Sequence, residues 1–363
     1  MRMRPLLTVC GALPLLAAIT GMTSAPAAGL APAAAAPRSR LAGQGVAPPF
    51  TPPLSGVAAT SGRSAWAVGG HVILHWNGRE WSRVQSPVRG VRSGLTSVAA
   101  SAADNAWAIG TTGSGRILIA HWNGAAWKRV PSPSPPGSSL GGIAVTSPTN
   151  AWAVGYAHAS RSGCNSCRAL ILHWNGRSWR EMASPAAGKL SMLESVTATS
   201  ARNAWAVGNG GGKILIVHWN GVSWKQVTSP ALDVSGDLTG VAATPAGRVW
   251  AVGGNGPATL IVHWNGAAWR QVPNPGGGLV FAVAAASASS AWAVGESSQG
   301  NALILRWNGR AWKRARNPKN PFPGHAEFLT GVAATSARNA WAVGYAGGGG
   351  SGVILRWNGR AWK

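Results

Sequence analysis

Hydrolytic chemistry calls for acidic side chains, and this chain has few. Of its 363 residues, 8 are Asp or Glu and 32 are Lys or Arg. Cleavage of a glycosidic bond requires paired carboxylates, or a base held by an orienting partner. Glu194, Asp233, Asp237, Glu296 and Glu327 are the acids whose positions let them reach one loop face, and they are scattered along the second half of the chain. A Tyr–Glu nucleophile pair would have to join Tyr156 or Tyr345 to Glu296 or Glu327, without the arginine cluster that such a site also needs. The residue supply favours a binding protein. A glycan-active enzyme, a glycosidase or lyase, is the alternative, and a purely structural domain is a third reading.

Metal and redox chemistry are no better supplied. His75, His121, His173, His218 and His263 recur once in each of five repeat units, with Arg306 and Arg356 in the other two, a spacing that holds the histidines too far apart to share one ion. They read as packing positions. Cys164 and Cys167, in the stretch GCNSC, have only His158 nearby, so a zinc knuckle lacks ligands. In an exported chain these cysteines are expected to form a small loop disulfide. A copper centre would need a Tyr/Cys/His set that the sequence does not assemble. No metal and no cofactor is expected.

The elements that must carry any site are set by tryptophan. The frame WNGxxW starts at Trp76, Trp122, Trp174, Trp219, Trp264, Trp307 and Trp357. Each copy follows a unit of the form VAAT, a turn, NAWAVG, a gap, and ILHW. All 21 tryptophans fall in these units. In the first unit the short apolar runs are GVAAT (56–60), AWAVG (65–69), VILHW (72–76) and WSRV (81–84). Runs of this length, bounded by Gly, Asn, Ser and Pro, are strands. Asn-Gly tolerates the positive φ of a tight hairpin, so WNGxxW should join the third strand to the fourth and pair its indoles on one sheet face. One four-stranded sheet cannot bury three indoles. Seven such sheets stacked around an axis can, and the chain is therefore expected to be all-β, a seven-bladed β-propeller of four-stranded antiparallel blades over residues 54–363.

At this point the residues resemble a known group. AWAVGG (65–70), VILHWNG (72–78) and WSRVQSP (81–87) are similar to kelch or galactose-oxidase-type blades, and the unit also resembles the BNR/YCF48-like blades of exported bacterial propellers. The resemblance spans about residues 54–363. It departs from strict kelch in that only Gly69–Gly70 and Gly253–Gly254 keep the Gly pair directly after Val. It implies a fold and little chemistry.

Spacing separates two rims. The first-strand Val or Ile (Val57, Val98, Ile143, Val196, Val241, Val283, Val332) precedes the second-strand Trp by 9 residues in every unit, and the two Trp of the hairpin are always 5 apart. The second-to-third-strand connection and the connection between units both vary in length. Alternate connections of a meander share a sheet end, so one rim is constant and the other variable, and loop variation on a rigid scaffold is where binding usually resides. The candidate binding residues on the variable rim are Tyr156, His158, Arg161, Arg168, Phe322, His325, Glu327 and Tyr345.

Arg2 and Arg4, the apolar run Pro5–Thr20 and the small residues Ala25–Ala27 read as a signal peptide (1–27), followed by an Ala/Pro-rich linker (28–53). Part of that linker, near residues 44–50, is expected to help complete the seventh blade. The mature chain should be secreted and monomeric, without a transmembrane segment. Its net charge is +24, or +22 once Arg2 and Arg4 are removed. That excess suits a glycan, an anionic wall polymer or a protein as partner. No nucleic-acid motif is present. Basic residues after six of the seven fourth-strand tryptophans either serve a polyanion or keep the outer strand from pairing with other chains.

Overall fold

The computed structural model describes residues 51–88, 93–158, 167–186, 190–228, 233–318, 326–346 and 350–363. The described residues form 27 strands and no helix, arranged in seven antiparallel meander sheets. Blade one consists of Gly56–Ser61, Ser64–Gly69, Val72–Trp76 and Trp81–Val84. Blade seven consists of Glu327–Ser336, Asn339–Ala346 and Ser351–Trp357, with Trp362 bridged to Trp357. Lys363 and Arg356 exchange both backbone hydrogen bonds, at 3.0 and 2.9 Å. The protein is a seven-bladed β-propeller.

The hairpin works differently from its expected form. Trp76 and Trp81 are a directly opposed pair flanking a four-residue turn. Gly78 alone takes positive φ, at 96°, while Asn77 uses its side chain. Asn77 Oδ1 accepts hydrogen bonds from the backbone N–H of Arg79 and Glu80, at 2.9 and 3.1 Å. The same Asn bracing occurs at Asn123, Asn175, Asn220, Asn265, Asn308 and Asn358. The indole N–H of Trp76 donates to Gly62 O (3.1 Å), tying this turn to the first-to-second-strand turn of its own blade. Five other blades repeat that bond, for example Trp219 to Ala201 O at 3.0 Å. The constant turns thus form one rim, as their spacing requires.

Three indoles meet at each seam, and they come from two blades. The hairpin indoles lie 5.9–6.1 Å apart. The second-strand Trp of the preceding blade enters between them. Trp152 lies 5.0 Å from Trp219 and 5.1 Å, edge-on, from Trp224. The pattern closes the ring, since Trp341 of blade seven lies 4.9 Å from Trp76 and 5.1 Å from Trp81 of blade one. Edge-to-face packing of this kind adds about 0.5–1.5 kcal/mol to burial. Residues 51–55 reinforce the closure: Leu54 N–H donates to Gly344 O (3.2 Å), and Gly352 N–H donates to Thr51 O (2.8 Å). The strand expected near 44–50, like the signal and most of the linker, lies outside the described residues.

The recurring histidines are packing residues. His173 stacks on Trp152 at 4.1 Å and its Nε2–H donates to Asn150 Oδ1 at 2.8 Å. His121 and His218 repeat this with Asn105 and Asn203. Burial holds the imidazoles of His75, His121, His173, His218 and His263 below the ordinary 6.5, with Arg248 adding to the effect at His263. The unfolded chain then binds more protons than the folded one as pH falls through 6.5, so stability drops. Glu194, Glu296 and Glu327, whose carboxyls are raised by burial, act in the opposite sense at lower pH. The melting temperature is expected to fall between about pH 7 and about pH 5. Replacing His121, His173 and His218 by Gln should flatten that slope, and an unchanged slope would mean that the buried imidazoles do not drive it.

Candidate functional site at the variable rim and channel mouth

In six of the seven blades the first strand carries a β-bulge two residues before its Val or Ile, and the extra residue lines the axis. The bulged positions Thr96, Gly141, Glu194, Thr239, Phe281 and Thr330, with Ser55 in blade one, line a central channel of about 210 Å³. Each bulge lies opposite a Gly within the second strand. A Cβ on Gly155 would run into the carbonyl oxygen of Ser139, and the equivalent Gly of every blade meets the same obstacle. Threonines at bulged positions bind the ring together: Thr330 Oγ1 donates to Leu54 O (2.8 Å) and Thr239 Oγ1 to Val280 O (3.0 Å), each in the next blade. Among the described residues, Glu194 is the one ionisable residue lining the channel. Burial, and then the Asp237 carboxylate, raise its carboxyl above the usual range.

The expected site residues divide into two groups on blades three and seven, separated by two blades around the ring. In blade three, Tyr156 and His158 pack edge to face at 5.6 Å. Arg168 pairs with Glu181 through a 2.6 Å contact between half-exposed side chains, worth under about 1 kcal/mol. In blade seven, Tyr345 stacks on Phe328 at 5.0 Å and 25°. Burial and the Glu296 carboxylate of blade six push the Tyr345 phenol above 10.0. Glu327 is 3% exposed, with Oε1 buried and unpaired among the described residues, so it does not present its carboxylate to the rim. Arg161, Phe322 and His325 lie outside the described residues.

The expected Cys164–Cys167 disulfide is not shown. Cys167 is a free, buried thiol. It lies in the strand Cys167–Trp174, opposite His158, and its Sγ is 3.9 Å from His158 Nδ1. The Cys167 side chain is sealed within the blade. Cys164 lies outside the described residues.

Sequence reasoning missed Leu279 and Phe281. Leu279 opposes Glu296 in register and is 36% exposed, and Phe281, two residues on, lines the channel. The available signal was the position two or four residues ahead of each first-strand Val. Together Leu279, Glu296, Phe328 and Tyr345 form an apolar and aromatic patch with one carboxylate across blades six and seven.

The likeness to known proteins is one of fold. The chain is similar to YCF48 bound to D1 peptide, with a TM-score of 0.59, 16% identity and coverage of 85% of this chain and 94% of that chain. It is also similar to virginiamycin B lyase from Staphylococcus aureus (TM-score 0.58, 15% identity, 80% of this chain and 91% of that chain). A third similar structure is the WD40 β-propeller domain of Doa1 (0.56, 11%, 86% and 94%). No protein-family model matches the chain, and no curated protein matches it in sequence. Propellers of one fold host binding, scaffolding and catalysis, so the site must carry the functional argument.

Proposed function

We propose that the protein is an exported binding scaffold that recognises a glycan on its variable rim. The observation that carries this is the half-buried Phe328–Tyr345 stack, with Glu296 beside it. An aromatic face packs against the C–H face of a sugar ring, and a carboxylate accepts hydrogen bonds from its hydroxyls. The ring of interlocked indoles supplies a rigid base for these groups, while the loops above them differ in length from blade to blade. The signal-like start of the sequence, and a kelch- or YCF48-like origin of the blades, belong to the same proposal. A wall polymer or an exported protein would use the same patch, the first through its sugars and the second through an apolar side chain.

Titration of neutral oligosaccharides against wild type, Tyr345→Ala, Glu296→Gln and Arg177→Ala tests this reading. Loss of about tenfold or more in the first two, with Arg177→Ala unchanged, is expected, since removal of a stacking face and of a charged acceptor each costs about 1–3 kcal/mol. Retained affinity in both rim variants would overturn it. The neighbouring Glu296 and Tyr345 favour a glycan-active enzyme as the second reading. Turnover of fluorogenic glycosides that disappears in Glu296→Gln would establish it.

A further inference from the structure

The opposite, constant rim carries a charge asymmetry that glycan binding does not use. Two positions face that rim in each blade, three residues before the second-strand Trp and three residues after the third-strand Trp. Blade two fills them with Asp104 and Ala125, and blade five with Gly247 and Ala267. Blades three, four and six each have one arginine there. Only blades seven and one have arginine at both positions: Arg338 and Arg360, Arg63 and Arg79. These two blades are neighbours across the seam that closes the ring.

The four arginines stand on adjacent turns. A Cβ on Gly78 would lie 3.3 Å from Arg63 Cβ and Cγ, so Arg63 packs on the turn that holds Arg79. A Cβ on Gly359 would lie 3.2 Å from the same atoms of Arg338, beside Arg360. Gly62, next to Arg63, approaches the side chain of Asn339, next to Arg338, at 3.6 Å from the same kind of probe. Their backbones are fixed as well. The N–H groups of Arg79 and Arg360 donate to Asn77 and Asn358 Oδ1, both at 2.9 Å. Those of Arg63 and Arg338 donate to Ser61 and Ser336 Oγ, at 3.1 and 3.2 Å. All four side chains are exposed. A fifth guanidinium lies beneath them. Arg356 stands where five blades have a neutral His, between the Trp341 and Trp76 rings at 5.0 and 5.1 Å, and its Nη2 donates to Gly62 O at 3.5 Å.

Against these five cations stands one carboxylate, Glu80, in the same turn as Arg79. Both ion pairs among the described residues, Arg168–Glu181 and Lys213–Asp233, lie elsewhere. Like charges on neighbouring turns repel one another, and an anion with several oxygens relieves that repulsion. The planar fork of Arg matches a phosphate oxygen pair, which an ammonium does not. The indoles at the seam, Trp76, Trp81 and Trp341, are 5%, 8% and 0% exposed, so no aromatic face is available to stack a nucleobase.

We infer that the constant rim at the seam of blades seven and one is a second site, which binds the phosphate groups of a linear polyol-phosphate polymer. The variable rim is left free by such binding, so a wall-type polymer would hold the propeller while the other face reads its ligand.

Fluorescent poly(glycerol phosphate), and single-stranded DNA with the same number of phosphates, titrated over about 0.05–0.3 M salt, test the site. The seam variant changes Arg63, Arg79, Arg338 and Arg360 to Gln. A charge-matched control changes Lys128, Arg180, Lys225 and Arg270 to Gln, and a third variant changes the four seam arginines to Lys. The seam variant is expected to lose about tenfold or more in affinity near 0.15 M salt, and to lower the salt slope by about 3. The control should change affinity by less than about threefold. The Lys variant should keep the slope and lose part of the affinity, which separates fork geometry from charge and reports on the site even if the Gln variant folds poorly. Equal losses in seam and control variants would reduce the effect to net charge and overturn the site. Tighter binding of DNA than of poly(glycerol phosphate) would overturn the ligand assignment. Binding of the polymer by Tyr345→Ala should match wild type, so this result stands or falls separately from the glycan reading.

Discussion

Replacing Trp341 with alanine is expected to cost about 3–5 kcal/mol of stability, and to open the ring at one place. Its indole is fully buried, contacts Trp76 and Trp81, and lies under Arg356. At every other seam the chain itself joins the two blades. Between blades seven and one the joint is non-covalent, made by this indole cluster, by Leu54 and by the backbone bonds of residues 51–55. The same substitution at Trp152, equally buried within an internal seam, removes similar contacts while the connecting chain keeps its blades adjacent. Both variants should therefore lower the urea midpoint. Only Trp341→Ala should also speed amide exchange selectively in the strands of blades one and seven, through local opening. A loss below about 1.5 kcal/mol at both sites would show that the indoles are not what holds the blades together, since that is less than removal of one well-buried large side chain.

Much of this architecture can be read from the sequence, because the tryptophan frame repeats without a change in spacing where strands are joined by tight turns. Seven units, four strands each, and the division into constant and variable rims all follow from that constancy. What spacing cannot give is the direction of each contact across the axis. The frame places Trp66, Trp76 and Trp81 in one unit, yet Trp66 packs with Trp122 and Trp127 of the next. The Asn of WNGxxW has two plausible uses, and its side chain, not its own φ, proved to brace the turn.

The site was less legible. Tyr156 and Tyr345 were recognisable from their place after the second-strand Gly, but the acids and aromatics around them belong to strands whose inward residue depends on a bulge. Glu327 illustrates the difficulty. One residue before Phe328, at a loop end in sequence, it sits on the opposite sheet face and is sealed in the seam between blades six and seven, where blades two, three and four have Ser93, Ser138 and Ser191. Loop length in sequence likewise did not reveal that Cys167, placed in a loop with Cys164, belongs to a strand.

The bulge is itself open to a controlled test, and a pair of glycines in one strand provides it. Gly208 and Gly210 both lie in the strand Asn203–Gly210 of blade four. A Cβ on Gly208 would collide with the carbonyl oxygen of Met192, whereas one on Gly210 would make ordinary contact with the Leu215 side chain at 3.7 Å. Neither residue has positive φ, so the comparison isolates space from backbone conformation. Relief of the Gly208 clash requires the first strand to retreat from the second at the point where Leu193 and Ser195 flank the bulged Glu194. That movement breaks ladder bonds on both sides of the bulge and carries Glu194 away from its place in the channel wall. Gly208→Ala is accordingly expected to cost about 3 kcal/mol, the upper end of ordinary overpacking, and Gly210→Ala to change stability by less than about 0.5 kcal/mol. Urea unfolding of the two variants measures the difference. Equal, small effects would mean that the first strand can move aside freely, and the channel lining would then be a soft feature of the fold instead of one imposed by a missing side chain in every blade.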